Sequence, residues 1–171
     1  LSRSFQITNV FPNLSVRENL LCASFWSCEG GYCFWRTANS NRKANDRVEV
    51  LLRELGLGAR SEVSAGLLSY SDQRSLEIGM SVASSPSVVL LDEPTAGMSR
   101  TETERAVDLV MRVTAGRTLL MVEHDMSVVF GLADRISVLV NGSVLFTGTP
   151  EEVRNNRDVR AAYLGDFALA C

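Results

Sequence analysis

Two apolar runs separated by one helix-length segment constrain this chain more than any other feature. Val88-Val89-Leu90-Leu91 runs without a break into Asp92-Glu93-Pro94, and residues 118–122 form a second apolar run. Between them, residues 101–113 place Ala106, Val107, Val110 and Val113 on one helical face, with Gly116 beyond the end. An uninterrupted apolar strand is the pattern of a strand covered on both faces. A strand, a helix and a second strand joined in that order make a parallel pair. The expected class is therefore α/β with a parallel core sheet. Further on, residues 125–133 read as a short helix. Residues 136–140 and 144–146 flank Asn141-Gly142, a hairpin turn expected to add an antiparallel edge. Pro150 suits a first helical position, with Glu151 and Glu152 in the first turn.

The first half is more helical. Ser15 reads as an N-cap with Glu18 completing a capping box, for a helix to about residue 24. Asn45 or Asp46 is expected to open another, whose Val48, Leu51, Leu52 and Leu55 keep helical spacing until Gly56 and Gly58. Residues 25–41, with Phe25, Trp26, Gly30, Gly31 and Trp35, have no clean period and read as an irregular insertion. The net charge of −3 gives no basic face for nucleic acid. No apolar run reaches the ~18 residues of a membrane span and no basic-then-apolar leader opens the sequence, so a soluble, cytosolic protein is expected. Cys22, Cys28, Cys33 and Cys171 contain no C-x-x-C pair and read as reduced thiols. Lys43 is the only lysine, so chemistry that needs a lysine must use it or do without.

Three places carry chemistry. The strand at 88–91 delivers Asp92 and Glu93 to its carboxyl end, where ligands bind in open α/β sheets. An Asp there suits Mg²⁺, and the Glu beside it suits a general base acting on water. The same pair also suits a solvated acidic turn that merely ends a strand. His124 follows the neighbouring strand and would reach the same rim, placed to hydrogen-bond a γ-phosphate; it would equally cap the helix at Asp125. The third place is Leu68-Ser69-Tyr70-Ser71-Asp72-Gln73-Arg74, ahead of a helix through Leu76, Ile78, Gly79, Met80, Val82 and Ala83. Free N–H groups at that helix start suit a phosphate, and Ser69 or Ser71 would also serve as an ordinary N-cap.

Taken together these residues resemble the ATP-binding-cassette (ABC) ATPases over nearly the whole chain. Phe5-Gln6 resembles the Q-loop, Leu68 to Gln73 the signature motif, Leu90 to Pro94 the Walker B end, Ala96-Gly97-Met98-Ser99 the D-loop, and His124 the switch histidine. Phe11-Pro12-Asn13-Leu14-Ser15-Val16-Arg17-Glu18-Asn19, Val122-Glu123-His124-Asp125-Met126 and Ala162-Tyr163-Leu164-Gly165 are similar to the branched-chain amino-acid importer branch, with its urea-importer relatives close by. The resemblance implies a P-loop NTPase-like core with a helical subdomain. It divides the chain into a Q-loop segment (1–12), a helical subdomain (13–84), a core α/β subdomain (85–149) and a helical tail (150–171).

The resemblance further implies that two such subunits sandwich two ATP molecules, each site combining one subunit's P-loop with the other's signature. Gln6 would touch Mg²⁺ or the attacking water, Asp92 would organise the metal, Glu93 would be the base and His124 would hold the γ-phosphate. Ser69, Ser71 and Asp72 would face the ATP held by the partner. The implied partners are a second ATPase subunit, identical or related, the integral-membrane permeases and, indirectly, a periplasmic solute-binding protein. The implied place is the cytoplasmic face of the prokaryotic inner membrane.

Departures from the family pattern bear on these expectations. No G-x-x-x-x-G-K-[ST] occurs, and Lys43 has no glycine-rich context. The sequence begins at Leu1 and is expected to be a piece starting downstream of its own nucleotide pocket, inert in ATP hydrolysis when alone. The alternative is a truncated, non-enzymatic module that lends its signature to a complete ATPase. Ser71 stands where the signature ordinarily has glycine, and its Cβ is expected to crowd a phosphate approaching the backbone. Ser75 replaces the usual arginine, and Ser99 ends the D-loop where many cassettes have Asp.

Overall fold

The computed structural model describes residues 2–3, 10–24 and 42–163. They fall into two compact units, residues 1–123 and 124–171. The first unit contains β1 (Ser2–Arg3), α1 (Val16–Ser24), α2 (Arg42–Glu54), α3 (Tyr70–Ala83), β2 (Val88–Asp92), α4 (Arg100–Val113) and β3 (Thr118–Val122), with 3-10 turns at Gly58–Arg60 and Ala65–Leu67. Its strands form one parallel sheet in the order β1-β2-β3. The β2–β3 register sets Leu90 opposite Leu120 and Asp92 opposite Val122. This is the α/β class with the parallel core that the apolar runs foretell.

Why the helices start where they do is legible at their caps. Ser15 accepts from the Glu18 amide at 3.2 Å, and the Glu18 carboxylate accepts from the Ser15 amide at 2.7 Å, the reciprocal pairing that a capping box requires. Ser99 and Glu102 do the same for α4. The second helix begins at Arg42 rather than at Asn45 or Asp46: propensity alone carries Arg42, Lys43 and Ala44, all good helix formers, ahead of the first core contact. Leu20, Leu51, Leu52, Leu57, Leu76, Val89, Leu91 and Val110 are all but completely buried in one core shared by the helices and β2. Each such side chain contributes roughly 1.5–3 kcal/mol of transfer free energy.

Two expectations change. Burial along β2 alternates, with Val89 and Leu91 buried and their neighbours half-buried, and β3 leaves Leu120 and Val122 56% and 60% exposed. Among the described residues of these 171, the core covers only one face of these strands, where the apolar runs predict coverage on both. The hairpin is also not an edge of the parallel sheet: β4 (Ile136–Val140) and β5 (Ser143–Gly148) form a two-stranded sheet of their own in the second unit. Asn141 and Gly142 have φ of 49° and 78°, the left-handed pair that a two-residue hairpin turn demands.

The second unit also holds α5 (Met126–Leu132), α6 (Pro150–Asn155) and α7 (Arg157–Tyr163) around Ile136, Val153 and Val159. Pro150 occupies the first turn of α6, whose capping box pairs Thr149 with Glu152. The insertion at 25–41 lies outside the described residues, as do Cys28, Cys33 and Cys171; Cys22 is a free, exposed thiol.

Candidate functional site

The parallel sheet delivers Asp92 as the last residue of β2, opposite Val122, and Glu93 as the first residue beyond it. Glu93 has φ of 45°, a left-handed backbone that costs a non-glycine residue roughly 1–2 kcal/mol. Its conformation is pinned from both sides. The Glu93 amide donates to the Val122 carbonyl at 2.9 Å, prolonging the ladder, and the Glu93 carbonyl accepts from the Ala96 amide at 3.2 Å. Beyond Pro94, Thr95 is buried and anchored to Glu123: its amide donates to Glu123 Oε1 at 3.1 Å and its hydroxyl at 2.5 Å. Strain held in place by surrounding bonds is typical of functional turns. The Glu123 brace has a sequence signal, an acid one residue past the register partner of Asp92, that spacing alone did not interpret.

The start of α3 is built just as tightly. Ser69 is the N-cap, accepting from the Asp72 amide at 3.2 Å and donating its hydroxyl to Asp72 Oδ2 at 2.6 Å, while Arg60 pairs with that same carboxylate oxygen. Gln73 Nε2 donates to the Ala65 and Leu68 carbonyls at 3.2 and 3.3 Å, tying down the turn that leads into the helix. That turn is stitched to the segment before α1. The Ala65 amide donates to Leu14 O and the Gly66 amide to Pro12 O, both at 2.9 Å. A Cβ on Gly66 would lie 3.1 Å from the Pro12 carbonyl oxygen, so the two chains approach as closely as they do because position 66 has no side chain. Asn19, fully buried, closes the arrangement by accepting from the Phe11 amide at 2.8 Å and donating to the Phe11, Leu14 and Ser15 carbonyls.

Tyr70 and Ser71 bring α3 against the loop after Glu93. The Tyr70 hydroxyl donates to the Ala96 carbonyl at 3.0 Å and accepts from Arg74 Nε at 3.3 Å. Arg74 is in turn bonded to Glu77 at 2.8 Å, both side chains almost wholly buried. Burial lowers the Arg74 pKa, but the hydrogen bonds that Arg74 donates to Glu77 and Tyr70 outweigh it and hold the pKa raised. Ser71, Asp72 and Ser75 line an open groove of about 670 Å³ with Met98, Glu102 and Arg105. The Glu102 carboxylate is held below its usual range, chiefly by the Ser99 hydroxyl and amide, with a lesser contribution from Ser71. Tyr70 was not singled out from the sequence, where nothing links it to a residue 26 positions away.

His124 opens the second unit and is exposed there, directly before Asp125. Asp125 caps α5, accepting from the Ser127 amide at 2.8 Å and the Ser127 hydroxyl at 2.6 Å, and this holds its carboxyl below the usual range. The capping role offered above as an alternative for His124 thus belongs to Asp125. Gln6 lies outside the described residues. Among the described residues no three His, Cys, Asp or Glu side chains gather into a metal-binding group, and no helix is long and apolar enough to cross a membrane.

Comparison with known proteins adds the following. A family model described as "ABC transporter" matches residues 1–96, and one described as "Branched-chain amino acid ATP-binding cassette transporter" matches residues 143–168. The chain is 39% identical to the high-affinity branched-chain amino acid transport ATP-binding protein LivG of Escherichia coli K12, over 96% of this chain and 67% of that one. It is 35% identical to the corresponding protein BraF of Pseudomonas aeruginosa, with the same shares covered. Among solved structures, the ADP conformation of MJ1267, an ATP-binding cassette of an ABC transporter, superposes with a TM-score of 0.77 at 24% identity, over 96% of this chain and 68% of that one.

Proposed function

Because the chain belongs to the ABC transporter family of ATP-binding subunits, we propose that it energises uptake of branched-chain amino acids or a similar small solute by ATP hydrolysis. The observation that carries this reading is the end of β2. Asp92 closes a parallel strand, and Glu93 follows in a strained turn that two backbone bonds and the Thr95–Glu123 anchor hold in place. A backbone so fixed sets the point from which the Glu93 carboxylate extends, which supports the preset position that a general base requires relative to the water it deprotonates.

Asp92 fits Mg²⁺ by the chemistry of its donors. That ion takes one or two carboxylates together with substrate phosphates and keeps several waters, so a lone strand-end Asp is the appropriate protein ligand, and no cage of acids is called for. When bound, the ion would neutralise charge on the β- and γ-phosphates. Gln6 joins Asp92 in this assignment on sequence alone. His124 is proposed, from the motif resemblance, to contact the γ-phosphate. Ser69, Ser71 and Asp72 at the start of α3 are proposed to face ATP held by a second ATPase subunit. The pair would act on integral-membrane permeases at the cytoplasmic face of the membrane, supplied by a periplasmic solute-binding protein.

The test is Glu93→Gln in the transporter assembled with this subunit and its permeases in proteoliposomes. ATP turnover and leucine uptake are expected to fall together by about 10²–10⁴-fold with ATP still bound, the range that a positioned base supplies. Turnover equal to that of the unaltered protein overturns the assignment of Glu93. Uptake of urea but not leucine by the unaltered transporter overturns the solute.

A further inference from the structure

Tyr70 joins the two parts of this chain that the proposed function brings to nucleotide: the turn that opens α3, and the loop that follows Asp92 and Glu93. The hydrogen bonds form a continuous series. Glu77 bonds Arg74 at 2.8 Å, Arg74 Nε donates to the Tyr70 hydroxyl at 3.3 Å, and that hydroxyl donates to the Ala96 carbonyl at 3.0 Å. The Ala96 amide then donates to the Glu93 carbonyl at 3.2 Å. Ala96 thus bonds Tyr70 through its carbonyl and Glu93 through its amide. The series begins at a buried ion pair and ends at Glu93, whose φ is left-handed.

Several features favour a fixed contact over a passing one. The phenol accepts from a cation, which polarises it as a donor toward Ala96. The Arg74 guanidinium carbon also lies 5.7 Å from the Tyr70 ring centroid, within cation–π range. The ring edge comes within 3.5 Å of the place where a Cβ on Gly97 would sit, and Gly97 has φ of 75°, so the loop turns against the ring at a residue suited to that backbone. Tyr70 is 45% exposed, so burial of the ring alone does not hold it there. The loop's other end is fixed separately, because Ser99 is capped by Glu102.

We infer that Tyr70 is a positioning residue, which through Ala96 holds the 96–99 loop and the Glu93 backbone at a set distance from the start of α3. Its consequence for catalysis rests on the reading of Glu93 as the base; its consequence for the loop does not. Tyr70→Phe deletes only the hydroxyl. Amide hydrogen exchange on the chain itself is expected to quicken about fivefold at Ala96 and Met98, the effect of losing one ordinary hydrogen bond, and to stay unchanged at Val89 and Leu91 in β2. In the assembled transporter, kcat is expected to fall about as much while KM for ATP holds. Unchanged exchange in the loop, equal acceleration in β2, or a rise in KM with kcat intact each overturns the inference. Because the exchange measurement needs no ATP, a Glu93→Gln variant that hydrolyses normally would sink the base assignment and leave the loop inference to its own test.

Discussion

Glu77→Leu provides the sharpest energetic test of the site's foundation. Arg74 and Glu77 are 3% and 5% exposed, and their ion pair joins neighbouring turns of α3, with Arg74 also bonded to the Tyr70 hydroxyl. One Glu77 oxygen, Oε1, is buried with no hydrogen-bond partner, so the carboxylate already bears an uncompensated desolvation cost. Removing Glu77 takes the carboxylate away from a guanidinium that cannot lose its proton and keeps its bond to the Tyr70 hydroxyl in a nearly dry position, a change that costs up to about 3–5 kcal/mol. Replacing both partners, as in Arg74→Met with Glu77→Leu, removes both buried charges and is expected to cost less than about 2 kcal/mol. The double-mutant cycle should therefore show a coupling of at least about 2 kcal/mol. Urea unfolding followed by circular dichroism at 222 nm, with amide exchange in α3 to assign the transition to the first unit, measures all four corners. If Glu77→Leu costs under about 1 kcal/mol, or the double variant costs the sum of the singles, the pair is not the electrostatic unit described here.

Two further outcomes follow from the same geometry. Asn19→Ala removes a fully buried amide with four backbone partners; it should lower stability by about 2–3 kcal/mol and speed exchange at the Phe11 amide, and a change in urea stability below about 0.5 kcal/mol would refute its role. The carboxyls of Glu102, Asp125 and Glu152 are held low by the Ser99 hydroxyl, the Ser127 hydroxyl and the Thr149 amide respectively. A folded value below the unfolded one means that stabilisation is present above the unfolded value and is lost as pH falls through the folded one. The first turns of α4, α5 and α6 should therefore fray only in acid, below about pH 4, and carboxyl NMR titrations showing ordinary values would contradict the caps.

How much of this was legible depended on the range of the interactions. Capping boxes act within four residues, so Ser15 with Glu18 was readable from spacing. Asn141-Gly142 needs left-handed backbone at both positions, and its chemistry announces that. The strand carrying Asp92 was legible because an apolar run ending in acids has few uses. Coverage of that strand was not: the apolar character of Leu120 or Val122 reports the residue, not which neighbour lies over it. Tyr70 escaped for a related reason. Its partner is 26 residues away and is a backbone carbonyl, which leaves no trace in side-chain pattern.

Ser71 shows how local geometry reshapes an expectation drawn from motif wording. A glycine in a tight phosphate-facing turn can be required for its backbone or for the empty space beside it. Ser71 lies inside the first turn of α3, and its φ is not among the positive values of this chain, so the backbone does not call for glycine. Its carbonyl accepts from the Ser75 hydroxyl at 2.9 Å, and its side chain lines the groove with Glu102. The serine therefore costs the helix nothing in strain and adds a contact toward the residue that caps Ser99. The remaining effect of its Cβ is on the space beside the backbone. On the proposed facing of Ser71 toward a partner's ATP, the consequence lies in the affinity for that phosphate and not in folding: Ser71→Gly should leave urea stability within about 1 kcal/mol while lowering the KM for ATP of the assembled transporter, and an unchanged KM would refute the crowding.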